Sequence, residues 1–322
     1  MERLEFFKSS GQKIYGTLTL PSLSKKSPAC LFIGGSFPQT RDGNIDNTKT
    51  DWFPIPFPQR NLFKDEAQIL ENLGIASFRY DKRGCGQSEG YFNTTSLFDL
   101  VFDAQMALQQ LRSWPEIDSQ RIGVLGQSEG AVIALILASL DPNISFYICQ
   151  GGIYNNLEQI LKWQSETFWQ GAPAKINNFK QNIPLMYWLY KQSDELFASV
   201  KLGQKFFQLG DENWSKNLSL QNLKEHFDNP PSAFVKQVKC PVLILHGSLD
   251  RNVPPQEALL MEQALLKCGN KNVTIHILTG LDHSFRRLTD PDEDFVTAMN
   301  RPLDPLLPEA LTDWFSSLLT DI

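Results

Sequence analysis

Gly126-Gln127-Ser128-Glu129-Gly130 stands between two apolar runs, Ile122–Leu125 and Ala131–Leu140. The first run continues from Arg121 and reads as a buried strand. The second has helical length and composition and predicts a helix over Glu129–Leu140. Only a sharp turn can join a strand to a helix in so few residues, and the flanking glycines let neighbouring chain approach that turn without Cβ clashes. Such a turn lifts the central serine to the carboxyl edge of a sheet, at a helix N-terminus where developing negative charge is favoured. The G-x-S-x-G pattern alone is weak, so the rest of the chain has to support it.

The remaining periodicities do so. Arg3–Lys8 and Lys13–Leu20, separated by Ser9-Ser10-Gly11-Gln12, predict an N-terminal hairpin. Short apolar runs at Ala29–Ile33, Ile75–Tyr80, Ser145–Gln150, Pro241–Leu245 and Val273–Leu278 read as strands. Helical spacing falls between them, at Asn61–Leu73, Ser96–Leu111, Gln256–Lys267 and Pro308–Leu319. Ser96 and Asp99 form a capping-box pattern, and Gly74 is placed as a C-cap. Strands alternating with helices predict a mostly parallel α/β sheet flanked by helices.

Composition narrows the function classes. The chain has 322 residues, 42% hydrophobic and 20% charged, enough for a sizeable core. Its net charge of −6 opposes phosphate backbones, so nucleic acid is not an expected partner. No apolar run is long enough to span a bilayer. The start, MERLEFFKSS, lacks the apolar core of a signal peptide, which predicts a cytoplasmic protein. The five cysteines (Cys30, Cys85, Cys149, Cys240, Cys268) are scattered and contain no C-x-x-C, so neither a disulfide framework nor a metal site is expected. The oligomeric state is left open.

A serine nucleophile needs a base, and the chain has four histidines. His276 lies inside the strand VTIHIL; His246 ends the strand LILH, where it could approach the site but reads first as structural; His226 falls within residues 154–235, with no fixed relation to the sheet. His283 sits in Gly280-Leu281-Asp282-His283-Ser284-Phe285, a loop leaving the last strand, where an imidazole can reach the sheet's carboxyl edge. It is the candidate base. Asp250, in Gly247-Ser248-Leu249-Asp250-Arg251-Asn252 after the preceding strand, is the candidate carboxylate partner. Asp282 is the rival by adjacency, but sequence neighbours generally point apart. An acyl-transfer site also needs two oxyanion donors. The N–H of Glu129 is one. The other is assigned to Ser36 in the turn Gly34-Gly35-Ser36-Phe37-Pro38, with Phe37 as a one-residue-shift alternative.

Residues 154–235 interrupt the alternation. They hold 14 of the chain's 36 aromatics, including Trp163, Trp169, Trp188 and Trp214. They read as a helical cap inserted into a core formed by 1–153 and 236–322. Its aromatics form either a small core of their own or part of a substrate pocket, and an oligomer interface is the competing role.

Taken together, GQSEG, GSLDRNVPP, GLDHSF and Arg79-Tyr80-Asp81-Lys82-Arg83-Gly84-Cys85-Gly86-Gln87-Ser88 resemble the α/β-hydrolase superfamily across nearly the whole chain. The order Ser128, Asp250, His283 is the one expected of that superfamily. Gly35-Ser36-Phe37-Pro38-Gln39-Thr40-Arg41-Asp42-Gly43-Asn44 is similar to a stretch of bacterial carboxylesterases related to dienelactone hydrolases and serine aminopeptidases. Phe37 stands where that stretch usually has glycine, and the proline-rich 45–60 loop is longer. The resemblance implies an α/β-hydrolase fold and a serine esterase acting on a small-molecule ester, without metal or cofactor. Amide hydrolysis of an acyl-peptide or aminopeptidase kind, and a catalytically inactive ligand-binding protein, are the two competing readings.

Overall fold

The computed structural model describes residues 1–22, 26–46, 48, 58–169, 179–290, 293 and 295–318. Ten strands occur among them: β1 (Glu2–Ser9), β2 (Gln12–Thr19), β3 (Ser27–Ile33), β4 (Ala76–Tyr80), β5 (Ile117–Gln127), β6 (Tyr147–Gln150), β7 (Phe206–Gly210), β8 (Ser215–Ser219), β9 (Val242–Gly247) and β10 (Val273–Leu278). Eight of them form one sheet in the order β1-β2-β4-β3-β5-β6-β9-β10. β1 and β2 pair antiparallel through a hairpin whose Ser10 and Gly11 both take positive φ. β2 is antiparallel to β4, and every pairing from β4 to β10 is parallel.

Helices cover both faces. Those at Leu97–Ser113, Glu129–Leu140 and Gln256–Lys267 bury Leu100, Leu108, Ile133, Leu135 and Met261 against one side of the sheet. Leu62–Asn72 and Leu306–Leu318 cover the other, packing Phe63, Leu70, Trp314 and Phe315 on Phe32, Phe146 and Leu243. Ser96 and Asp99 make the reciprocal capping box expected from their spacing. Gly74, just past its helix, has φ 78°. No helix among the described residues is long and apolar enough to cross a membrane.

Differences from the sequence reading lie mostly at element ends. β5 starts at Ile117 rather than Arg121, because its polar first half extends the strand beyond the buried part of the sheet. Between β6 and β9 the chain forms helices at Leu157–Gln164, Pro184–Lys191, Ser193–Lys201 and Gln221–Asp228. It also forms an antiparallel hairpin, β7–β8, so this segment is not purely helical as expected. Leu209 and Leu218 point from the hairpin into a small cluster with Ile183 and Leu185. Residues 170–178 of the segment, residues 47 and 49–57 of the proline-rich 45–60 loop and Leu319 lie outside the described residues.

Candidate active site

Ser128 is the hinge between β5 and the helix Glu129–Leu140. Its backbone sits at φ 58° and ψ −121°. A non-glycine residue holds such a conformation at a cost of about 1–3 kcal/mol, and only where its surroundings enforce it. Here the Ser128 N–H donates to the Gln150 carbonyl at 2.8 Å, and the Ser128 carbonyl accepts from the Ala131 N–H at 2.9 Å. Both glycines of the motif are sterically required. A Cβ on Gly126 would overlap the Gly130 carbonyl, and one on Gly130 would overlap the Ile33 carbonyl of β3.

The turn after β10 carries His283, and the turn after β9 carries Asp250. Parallel pairing of these two strands brings residues 33 positions apart together, with His283 Nδ1 at 2.6 Å from Asp250 Oδ2. The other Asp250 oxygen accepts the N–H groups of Asn252 and Val253 at 2.8 and 2.9 Å, so the carboxylate is fixed from both ends. Burial opposes ionisation of Asp250, but the imidazoles of His283 and His246 outweigh it and lower its pKa. Asp282 faces its own turn, where it accepts the N–H groups of Ser284 and Arg286 at 2.9 and 2.8 Å. Burial raises its pKa.

His246 also reaches Asp250. Its Nε2 lies 2.9 Å from the Val253 carbonyl and 3.3 Å from Asp250 Oδ2, at full burial. Asp250 draws its pKa up against the opposing effect of burial. Gly151, at φ 54°, closes the other side of the pair. A Cβ there would come within 2.9 Å of His283 Cε1.

The turn after β3 passes directly over Ser128, since a Cβ on Gly35 would lie 3.1 Å from Ser128 Cβ. Its backbone groups are largely committed. Gly35 N–H donates to Gln39 Oε1 at 3.1 Å, Gln39 Nε2 donates to Ser36 O at 2.8 Å, and Lys82 Nζ donates to Gly35 O at 2.7 Å. Among the described residues no acceptor is bonded to the Ser36 N–H. The Glu129 N–H heads its helix and has no intrahelical partner. Phe37, the alternative donor, has φ 70°.

The Glu129 side chain is mostly covered, and both of its oxygens have partners. Lys82 Nζ lies 2.9 Å from Oε2, and His226 Nε2 lies 3.1 Å from Oε1. Burial opposes its charge, but Lys82 and His226 more than compensate and its pKa falls. Sequence reasoning missed Lys82, His226, His246 and Gln39. Lys82 lies inside the Arg79–Ser88 motif, which is its only signal. His226 has no fixed relation to the sheet in the sequence, and His246 at a strand end reads first as structural.

Ser36, Ser128, Glu129 and His283 line one cavity of about 420 Å³. Its remaining wall is chiefly aliphatic, and much of it comes from the segment between β6 and β9: Ile160, Leu185, Met186, Leu189 and Leu196, with Tyr190 and Phe197. Trp163, Trp188 and Trp214 are not among its lining residues. Trp188 and Trp214 pack instead around Ile183, Leu185 and Leu209.

A sheet in this order, with β5 feeding a helix through a strained serine, is the α/β-hydrolase fold. The chain belongs to the serine aminopeptidase (S33) family of hydrolases, whose sequence model matches residues 60–291. It is 23% identical to Esterase EstD of Thermotoga maritima over 277 residues, covering 83% of this chain and 57% of EstD. The chain spans about half the length, or less, of the curated relatives it matches. Among solved structures it is similar to Est1E of Butyrivibrio proteoclasticus with bound ferulic acid, at TM-score 0.63 and 16% identity, covering 98% of this chain and 99% of Est1E. The α/β hydrolase GrgF of Penicillium sp. sh18 follows at TM-score 0.62 and 17% identity, with 99% and 98% covered.

Proposed function

We propose that the protein is a serine esterase that cleaves carboxylic esters of apolar acids through an acyl-enzyme on Ser128. The observation that carries this reading is the 2.6 Å His283–Asp250 pair, which shares a cavity with a serine held at positive φ. Ser128 Oγ attacks the ester carbonyl while His283 Nε2 takes its proton, and Asp250 stabilises the imidazolium. The tetrahedral oxygen accepts from the N–H groups of Ser36, which has no acceptor among the described residues, and Glu129, which heads its helix. Collapse expels the alcohol, protonated by His283. Water, deprotonated by the same imidazole, then releases the acid. Residues 154–235 act as a cap, and their aliphatic side chains receive the acyl group.

Each carboxylate lining the cavity already has a partner. Glu129 is held by Lys82, Asp282 by two backbone N–H groups, and Glu293 by Arg301. No uncompensated anion is left among the described lining residues to hold a free ammonium group, which favours esters over aminopeptidase substrates. The relatives named as esterases support the same direction.

The test is a panel of p-nitrophenyl esters of graded chain length beside aminoacyl-p-nitroanilides, with wild type and Ser128→Ala. We expect ester turnover in wild type and its loss by several orders of magnitude in a folded Ser128→Ala. Anilide turnover exceeding ester turnover would select the aminopeptidase reading. Ligand binding without turnover of either would select the inactive one.

A further inference from the structure

Lys82 lies two residues past the end of β4 and is almost wholly buried, with 4% of its side chain exposed. Burying an ammonium group is costly unless its donors are satisfied. Two of them are, by Gly35 O at 2.7 Å and Glu129 Oε2 at 2.9 Å, and the ring of Phe92 lies 5.3 Å from Nζ. These two acceptors belong to the two segments that supply the oxyanion donors. Gly35 O is the carbonyl of the same peptide unit whose N–H is that of Ser36. Glu129 is the residue whose N–H is the other donor.

The geometry points to Lys82 as a positioning residue that clamps the two halves of the oxyanion hole together. This inference rests on the assignment of Ser36 and Glu129 as oxyanion donors. Carbonyl and N–H lie on opposite edges of a trans peptide. An ammonium anchored on Gly35 O therefore aims the Ser36 N–H away from itself, and it polarises that N–H into a stronger donor. Gln39 fixes the same turn through Gly35 N–H and Ser36 O, so the remaining freedom of the Gly35–Ser36 peptide is rotation about its long axis. The bond from Lys82 removes it.

Neither motif reaches this arrangement alone. Arg41 ties its own stretch to the turn after β4 through Asp81, with its N–H at 2.7 Å and its Nε at 3.1 Å from Oδ1. The Lys82 N–H donates to Gln39 O at 3.1 Å. The two turns thus form one framework, with the Lys82 side chain reaching from it to Glu129.

The experiment compares wild type, Lys82→Met, Lys82→Arg and the double variant Lys82→Met/Glu129→Gln. The double variant removes the carboxylate charge that Lys82→Met leaves without its ammonium partner. Readouts are kcat and KM on a p-nitrophenyl ester and thermal melting. Inhibition by an alkyl trifluoromethyl ketone, which forms a tetrahedral oxyanion on serine, is compared with inhibition by the carboxylate product. We expect the double variant to melt close to wild type while kcat falls about tenfold or more with KM little changed. Trifluoromethyl ketone affinity should fall by a similar factor and product affinity should hold. Lys82→Arg should recover part of the loss. A double variant with wild-type kcat and ketone affinity overturns the clamp and leaves the esterase reading standing. A wild type that is inert to esters and to a fluorophosphonate serine probe overturns both.

Discussion

Asp250 Oδ2 lies 2.6 Å from His283 Nδ1, and the same oxygen is 3.3 Å from the Nε2 of a second imidazole, His246. In the proposed mechanism an ionised Asp250 keeps the proton of His283 on Nδ1 and leaves Nε2 as the base. His246 stands beside that carboxylate from inside the strand, with its Nε2 bonded to the Val253 carbonyl at 2.9 Å.

Asp250→Asn removes the charge and keeps the shape. We expect kcat to fall about 10³–10⁴-fold, as loss of the correct tautomer does in serine hydrolases generally. The protein should still fold, because the remaining amide oxygen can accept from Asn252 and Val253. Turnover and a melting curve on the same preparation check this. Near-wild-type turnover would remove Asp250 from the mechanism.

Gly151 carries a second prediction. Its φ of 54° is strained for any side chain, and a Cβ would stand 2.9 Å from His283 Cε1 and 3.0 Å from Nδ1. Gly151→Ala should push the imidazole out of line with Ser128 and lower kcat by about tenfold or more, with a smaller effect on KM. Imidazole NMR shifts of His283 should move in the variant. Unchanged shifts and turnover would show that the turn absorbs the methyl group.

Much of this site was legible in the sequence because its parts lie where strands end. Ser128, Asp250 and His283 each follow an apolar run, and parallel strands align such ends at one edge of the sheet. The helix Gln256–Lys267 and the capping box at Ser96 were readable from local spacing alone. Lys82 and His226 were not, since both meet Glu129 across elements distant in sequence, and His246 gives no local signal because a histidine ending a buried strand reads equally as a structural side chain. The β7–β8 hairpin was missed for another reason. Phe206 is exposed and only Leu209 and Leu218 are buried, so neither strand carries a clear alternation. The turn residues Asp211-Glu212-Asn213 were its remaining signal.

Glu66 yields a prediction about pH and stability. It is fully buried on the helix Leu62–Asn72, where Gln150 Nε2 donates to it. Burial pushes its pKa up from 4.5 to about 8. Between those two values the folded state holds a proton that the unfolded state has released. Stability therefore declines as pH rises through that window and levels off above about pH 8. Glu66→Gln cannot ionise and escapes the decline. Its melting temperature should exceed that of wild type by a few degrees at pH 8.5, with the gap closing toward pH 5. A gap independent of pH would mean that Glu66 is ionised in the folded protein throughout.

The last prediction concerns the segment between β6 and β9, whose role divides between a substrate cap and a subunit interface. Leu185 is fully buried on the helix Pro184–Lys191 and lines the cavity that also contains Ser128. Replacing it with phenylalanine adds bulk to the wall proposed to hold the acyl chain. Each buried methylene of a ligand is worth about 0.8 kcal/mol, roughly fourfold in binding. Displacing two or more of them should lower kcat/KM for p-nitrophenyl octanoate at least about tenfold relative to p-nitrophenyl acetate. Taking the ratio within one variant cancels any loss of folded protein from overpacking, which costs about 1–3 kcal/mol. Molecular mass in solution, measured on the same sample, separates the two roles. An unchanged mass with a shifted chain-length preference supports the cap. A changed mass with an unchanged preference would assign the segment to subunit contacts and leave the acyl group to be held by the core.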